Sequence, residues 1–178
     1  MRVISGKYKR LQLTGFDTEG IRPTMDKVKE SIFAMINEYI PDSVCLDLFA
    51  GTGSLGIEAL SNGSKFVYFN DISKLSINVI NKNLSKINDT NYQVINSLYI
   101  DTLKKFSNNG TKFDIIFIDP PYGKIKIKDV IENILKYDIL NENAILVCEY
   151  ENEDIDINDL KLIKERKYGR VLIKIYKK

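Results

Sequence analysis

Residues 44–60, VCLDLFAGTGSLGIEAL, constrain the fold more than any other stretch of the chain. Val44 to Phe49 is apolar but for Asp47, which suits a strand buried on both faces rather than one with a wet side. A glycine turn then leads straight into a helical pattern. A doubly buried strand feeding a helix is the unit of a parallel sheet, and such a sheet needs helices on both of its faces.

The rest of the chain repeats that alternation. After the helix at 54–62, closed by Asn62-Gly63, the pattern predicts strands at 65–70, 92–96, 113–119 and over AILVCEY (144–150). Helices are predicted at 74–88, with Leu75, Val79, Ile80, Leu84 and Ile87 on one stripe, at 99–107 and at 128–137. A closing pair, 160–167 and 170–176, completes an α/β sheet. Ahead of it, residues 1–24 alternate weakly, and Thr24 is positioned to cap a helix presenting Val28, Ile32, Met35, Ile36 and Tyr39. The expectation is one domain over 1–178, with an extension at 1–40 and the sheet at 41–178.

Composition removes several chemistries. The chain has no histidine, so imidazole acid–base catalysis, Ser-His pairs and the commonest zinc ligand are all missing; no metal site is expected. Cys45 and Cys148 sit in apolar runs, as buried reduced thiols do. No apolar run reaches the roughly 20 residues of a membrane span. A cytoplasmic monomer is the expectation.

The glycine turn, Gly51-Thr52-Gly53-Ser54-Leu55-Gly56, lets a ligand approach the main chain at a helix N-terminus. Dinucleotide and S-adenosylmethionine sites both use such a turn, and Asp71 at the end of the next strand can accept ribose hydroxyls. Asp47 favours the second ligand: a carboxylate there repels a pyrophosphate but suits an amino-acid ammonium. The Tyr122 and Lys126 spacing of short-chain dehydrogenases is a decoy, since that chemistry needs one helical face and Pro120-Pro121 forbids a helix.

The strand FDIIFID ends in Asp119-Pro120-Pro121-Tyr122. Two prolines stiffen the turn and remove two N–H donors, leaving oxygen acceptors beside a flat ring. Such a surface can hold the two hydrogens of a nucleobase amine, stabilise positive charge arriving on its nitrogen, and stack the base on Tyr122.

DPPY together with DLFAGTGSLGIEAL resembles the amino-methyltransferases that modify exocyclic nitrogens, which have a Rossmann-like, seven-stranded S-adenosylmethionine fold. RVISGKYKRLQL and GIRPTMDKVKESIF further resemble the bacterial 16S ribosomal RNA guanine-N2 methyltransferases, and the likeness runs from Arg2 to Tyr176. The resemblance implies that Asp47, Phe49, Ala50, Gly51, Thr52, Gly53, Asp71 and Ser97 bind S-adenosylmethionine. By the same resemblance Asp119, Pro120, Pro121 and Tyr122 hold the guanine amine. Arg2, Lys7, Lys9, Arg10, Arg22 and Lys124 would contact 16S ribosomal RNA or the small-subunit particle, with Lys27 and Lys29 also in the basic segment. The chain departs from the family at Asn96-Ser97-Leu98, where many relatives offer an Asp to adenine, and in a shorter basic turn, KYKRLQL. Adenine-N6 methylation and a non-catalytic nucleic-acid-binding module are the alternatives.

Overall fold

Each apolar run becomes a strand, and each helical stripe finds the sheet face it needs. The computed structural model describes residues 1–16, 23–121, 125–151 and 157–178, with the side chains of the first helix described from Asp26 onward. The order is α1 (Pro23–Ile36), a single 3-10 turn (Asn37–Tyr39), β1 (Val44–Asp47), α2 (Ser54–Ser61), β2 (Phe66–Asp71), α3 (Lys74–Leu84), β3 (Tyr92–Asn96), α4 (Tyr99–Asn108), β4 (Phe113–Ile118), α5 (Ile127–Lys136), β5 (Leu140–Glu151), β6 (Lys161–Tyr168) and β7 (Val171–Lys177). The seven strands run β3-β2-β1-β4-β5-β7-β6. The first five are parallel, while β7 lies antiparallel between β5 and β6. This is the Rossmann-like methyltransferase sheet with a small N-terminal extension.

Strand alternation sorts the core into two layers. Cys45, Phe117, Val147 and Ile175 face α1, α2 and α3, where Phe33 of α1 stacks on Phe117 at 5.8 Å. Leu46, Ile116, Leu146 and Cys148 face α4 and α5. A sheet buried on both sides explains why its central strands read as largely apolar runs rather than alternating ones.

Two details differ from the sequence reading. The first helix begins at Pro23, so Thr24 lies inside it rather than capping it; proline's fixed φ and missing N–H suit the first helical position. Leu75 is 63% exposed. It lies in the first turn of α3, just past the carboxyl end of β2, where the sheet no longer covers the stripe that continues through Val79, Ile80 and Leu84.

The extension is fixed by polar groups as well as by buried Val3 and Leu13. Glu58 of α2, fully buried, accepts hydrogen bonds from the N–H groups of Ile4 and Ser5 and from Lys29 Nζ at 3.1 Å. Asn83 of α3, also fully buried, donates to the carbonyls of Thr14 and Thr52 and accepts from the Thr14 N–H at 2.7 Å. One amide thus joins the extension to the glycine turn.

Space is tightest at Gly56. A Cβ there would stand 2.2 Å from Cε1 of Phe69, a ring with no exposed surface and therefore nowhere to retreat. Gly56→Ala is expected to lower unfolding free energy by about 1–3 kcal/mol, the usual cost of overpacking, as read by urea denaturation.

Candidate active site

The carboxyl ends of β1, β4 and β5 meet at a cavity of about 200 Å³. Asp47, Gly51, Asp119 and Glu149 line it from the sheet side, and Met1, Phe16 and Lys29 from the extension and α1. The structure thereby brings together Asp47 and Asp119, more than 70 residues apart in the chain, with the turn between β1 and α2. Phe49, Ala50 and Thr52 lie on the same wall. Phe49 also packs against Tyr99 of α4, ring centroids 5.4 Å apart.

The turn's shape follows from its sequence. Gly51 and Gly53 adopt φ of +55° and +77°, the left-handed region where a side chain is strained. Gly53 occupies the N-cap of α2 and has no side chain with which to cap it. Asp47 supplies the missing acceptor from the neighbouring strand, taking the Gly56 N–H at 3.0 Å. Asp71 braces the other side: its Oδ2 accepts from Gly51 N–H at 2.9 Å and its Oδ1 from Ser73 N–H at 2.8 Å. Each oxygen keeps a lone pair for a ligand hydroxyl. Ser97, half-buried, follows the end of β3 and donates its N–H to the Asp71 carbonyl.

Burial decides the charges. Desolvation pushes Asp47 up to about 7, against the lowering effect of the Gly56 N–H, with Asp71 adding to the rise. Asp119 is also held well above the ordinary carboxylate range, first by burial and then by the charges of Glu149 and Asp47. Lys29, on the same cavity wall, is drawn below its ordinary value by burial, opposed by Glu58. A cleft so rich in carboxylates favours a cationic guest and amine hydrogens over phosphate. Among the described residues no cluster of three or more potential ligands is placed to hold a metal ion.

Pro120 is buried and Pro121 exposed. Tyr122, Lys124 and Arg22 lie outside the described residues. Lys9 and Arg10 are exposed at the turn of the extension. Arg2 is exposed and 3.7 Å from Asp26, and Lys7 pairs with Asp89 at 2.6 Å. Lys29 is not a surface cation: at 4% exposure it is spent on Glu58, the Arg2 carbonyl and Ser54 Oγ.

Glu149 was not among the site residues expected from the sequence, yet it lines the cleft. The available signal was its position: an acid directly after an apolar run, as Asp47, Asp71 and Asp119 are at or just past the ends of theirs. Ile72 (63% exposed) and Leu98 (49%) were also missed. They follow adjacent strand ends, since Asp71 of β2 registers with Asn96 of β3.

The model of the family described as Conserved hypothetical protein 95 matches residues 1–177. Among curated proteins, the Haemophilus influenzae ribosomal RNA small subunit methyltransferase D is 37% identical over 99% of this chain and 93% of its own length. The Escherichia coli protein of the same name is 30% identical over 100% and 90%. Among solved structures, a provisionally assigned methyltransferase of Escherichia coli superposes with a TM-score of 0.86 at 26% identity, covering 100% of this chain and 97% of its own.

Proposed function

The chain belongs to the family described as Conserved hypothetical protein 95, and from that premise we propose that it methylates the exocyclic N2 amine of a guanine in 16S ribosomal RNA, using S-adenosylmethionine. One observation carries the reading: the acid of the DPP turn and the acid preceding the glycine turn line a single cleft.

The residues fit that cofactor. Asp47 suits its ammonium, the free lone pairs of Asp71 suit its ribose hydroxyls, and the exposed side chains of Ile72 and Leu98 offer apolar surface to a flat base. When bound, the cofactor supplies an activated methyl carbon. The chain's own contribution is orientation and electrostatics. Asp119 accepts an N–H of the guanine amine, as does the Pro120 carbonyl, so positive charge growing on nitrogen meets oxygen lone pairs. Lys9 and Arg10, exposed on the extension, supply phosphate contacts that add affinity without reading sequence.

The test is transfer of tritiated methyl groups to small-subunit RNA or particles lacking the modification, followed by nucleoside analysis. N2-methylguanosine is the expected product. N6-methyladenosine, or cofactor binding without turnover, would overturn the reading.

Asp47 gives it a pH signature. A carboxyl that titrates near 7 in the empty cleft must ionise to pair with an ammonium, so cofactor affinity rises as pH increases through about 7. Asp47→Asn is expected to weaken binding by about 10- to 100-fold at pH 8, the equivalent of one charged hydrogen bond at roughly 1.5–3 kcal/mol, and to flatten the pH dependence. Isothermal titration calorimetry at pH 6, 7 and 8 measures both.

A further inference from the structure

Three neighbouring strands, β1, β4 and β5, carry an acid on the same face of the sheet near their carboxyl ends: Asp47, Asp119 and Glu149 follow Cys45, Phe117 and Val147 at strand period. Ile118 registers with Cys148, so Asp119 and Glu149 are the next residues on adjacent strands, whose backbones lie about 5 Å apart. Both line the cleft.

Among the described residues, the charged groups that line the cleft with them are Asp47 from β1 and, from α1, Asp26 and Lys29, the last bound to Glu58. On β7 the residue opposite Glu149 is buried, apolar Ile173, while Lys174 is opposite Cys148 and so belongs to the other face. Two carboxylates placed side by side in a half-buried cleft do not both ionise readily.

Resting on the function proposed above, we propose that Glu149 is a positioning residue for the transfer: it and Asp119 share one proton and one negative charge, which leaves an oxygen lone pair of Asp119 as an acceptor for the substrate amine. The upward displacement of Asp119 by burial and by Glu149 accords with this. As the new C–N bond forms, the donor's S–C bond breaks and its electron pair stays on sulfur. The nitrogen becomes a cation and passes one proton to the Asp119–Glu149 pair. The pair then holds two protons and no charge, the product amine is neutral, and one proton leaves to water when the cleft opens. The sum of charges on sulfur, amine and carboxyl pair stays at zero throughout, which a poorly solvated cleft favours. No histidine is needed to take the proton.

The experiment is an infrared titration of the carboxyl groups of the free protein in an Asp47→Asn background, which removes the buried acid held up to about 7. The expected result is one protonated buried carboxyl at pH 7, and a midpoint for Asp119 that falls by one pH unit or more on adding Glu149→Gln. In the otherwise unsubstituted enzyme, Glu149→Gln should move the acid limb of kcat/KM the same way, a limb that reports the free enzyme. An unmoved midpoint overturns the proposal. Should the Gln variant fail to fold, the background alone decides: no protonated carboxyl at pH 7 overturns it. If the unsubstituted protein labels no RNA, the proposed function fails, while the titration still reports on the pair.

Discussion

Asp119→Ala is expected to reduce methyl transfer to RNA by about 10²- to 10³-fold or more, the cost of removing one well-aimed electrostatic group from a transition state, while S-adenosylmethionine binds within a few-fold of normal. The two effects separate on the proposed reading because Asp119 meets the amine, whereas the cofactor is held by Asp47 and the Gly51 turn, which line the cleft, and by Asp71, which braces that turn from outside the cleft lining. Single-turnover transfer of labelled methyl groups, with calorimetry of the cofactor alone, distinguishes them. Equal losses in both would place Asp119 in cofactor binding and remove it from the transfer.

Lys29→Met is expected to cost about 3–5 kcal/mol of stability, because it leaves Glu58 as a buried charge without its counterion. The pair is almost wholly shielded, with side-chain exposures of 5% and 0%. That loss is a large fraction of the roughly 5–15 kcal/mol of a typical domain. The hydrogen bonds from Ile4, Ser5 N–H and Ser5 Oγ remain on Glu58 and place the cost toward the lower end. Adding Glu58→Gln removes the orphaned charge but keeps an oxygen for Ile4 and Ser5, and should recover more than half. Urea denaturation of the two variants checks both statements; an unchanged midpoint for Lys29→Met would mean the pair carries no net stability.

Strands and acids at strand ends were legible because both are local facts. A strand covered on two sides must be apolar at consecutive positions, as in IIFI (115–118), and an acid such as Asp119 that closes the run marks its end. Apolar runs also placed β5 and β7, although the antiparallel insertion of β7 beside β5 could not be read from them, since such a run looks the same in either direction. What stayed hidden depends on pairs distant in sequence. Lys29 and Glu58 look like a surface cation and a helix acid until the fold presses α1 against α2. Glu149 belongs to a run of acids by sequence and to the cleft by register with β4. Leu75 has the right period for burial, but periodicity says nothing of where the sheet ends.

Every hydrogen-bonding position of the Asn83 side chain is spoken for: two donations to carbonyls, and acceptance from Thr14 N–H and Lys86 Nζ. Swapping its NH2 for oxygen, the change that deamidation makes, is a one-atom edit that turns both donations into oxygen–oxygen repulsions. Residue 14 and residue 52 would be released together. Chemical ageing at that single amide would therefore loosen the extension and the ligand turn in one event, with almost no change in the shape of the side chain.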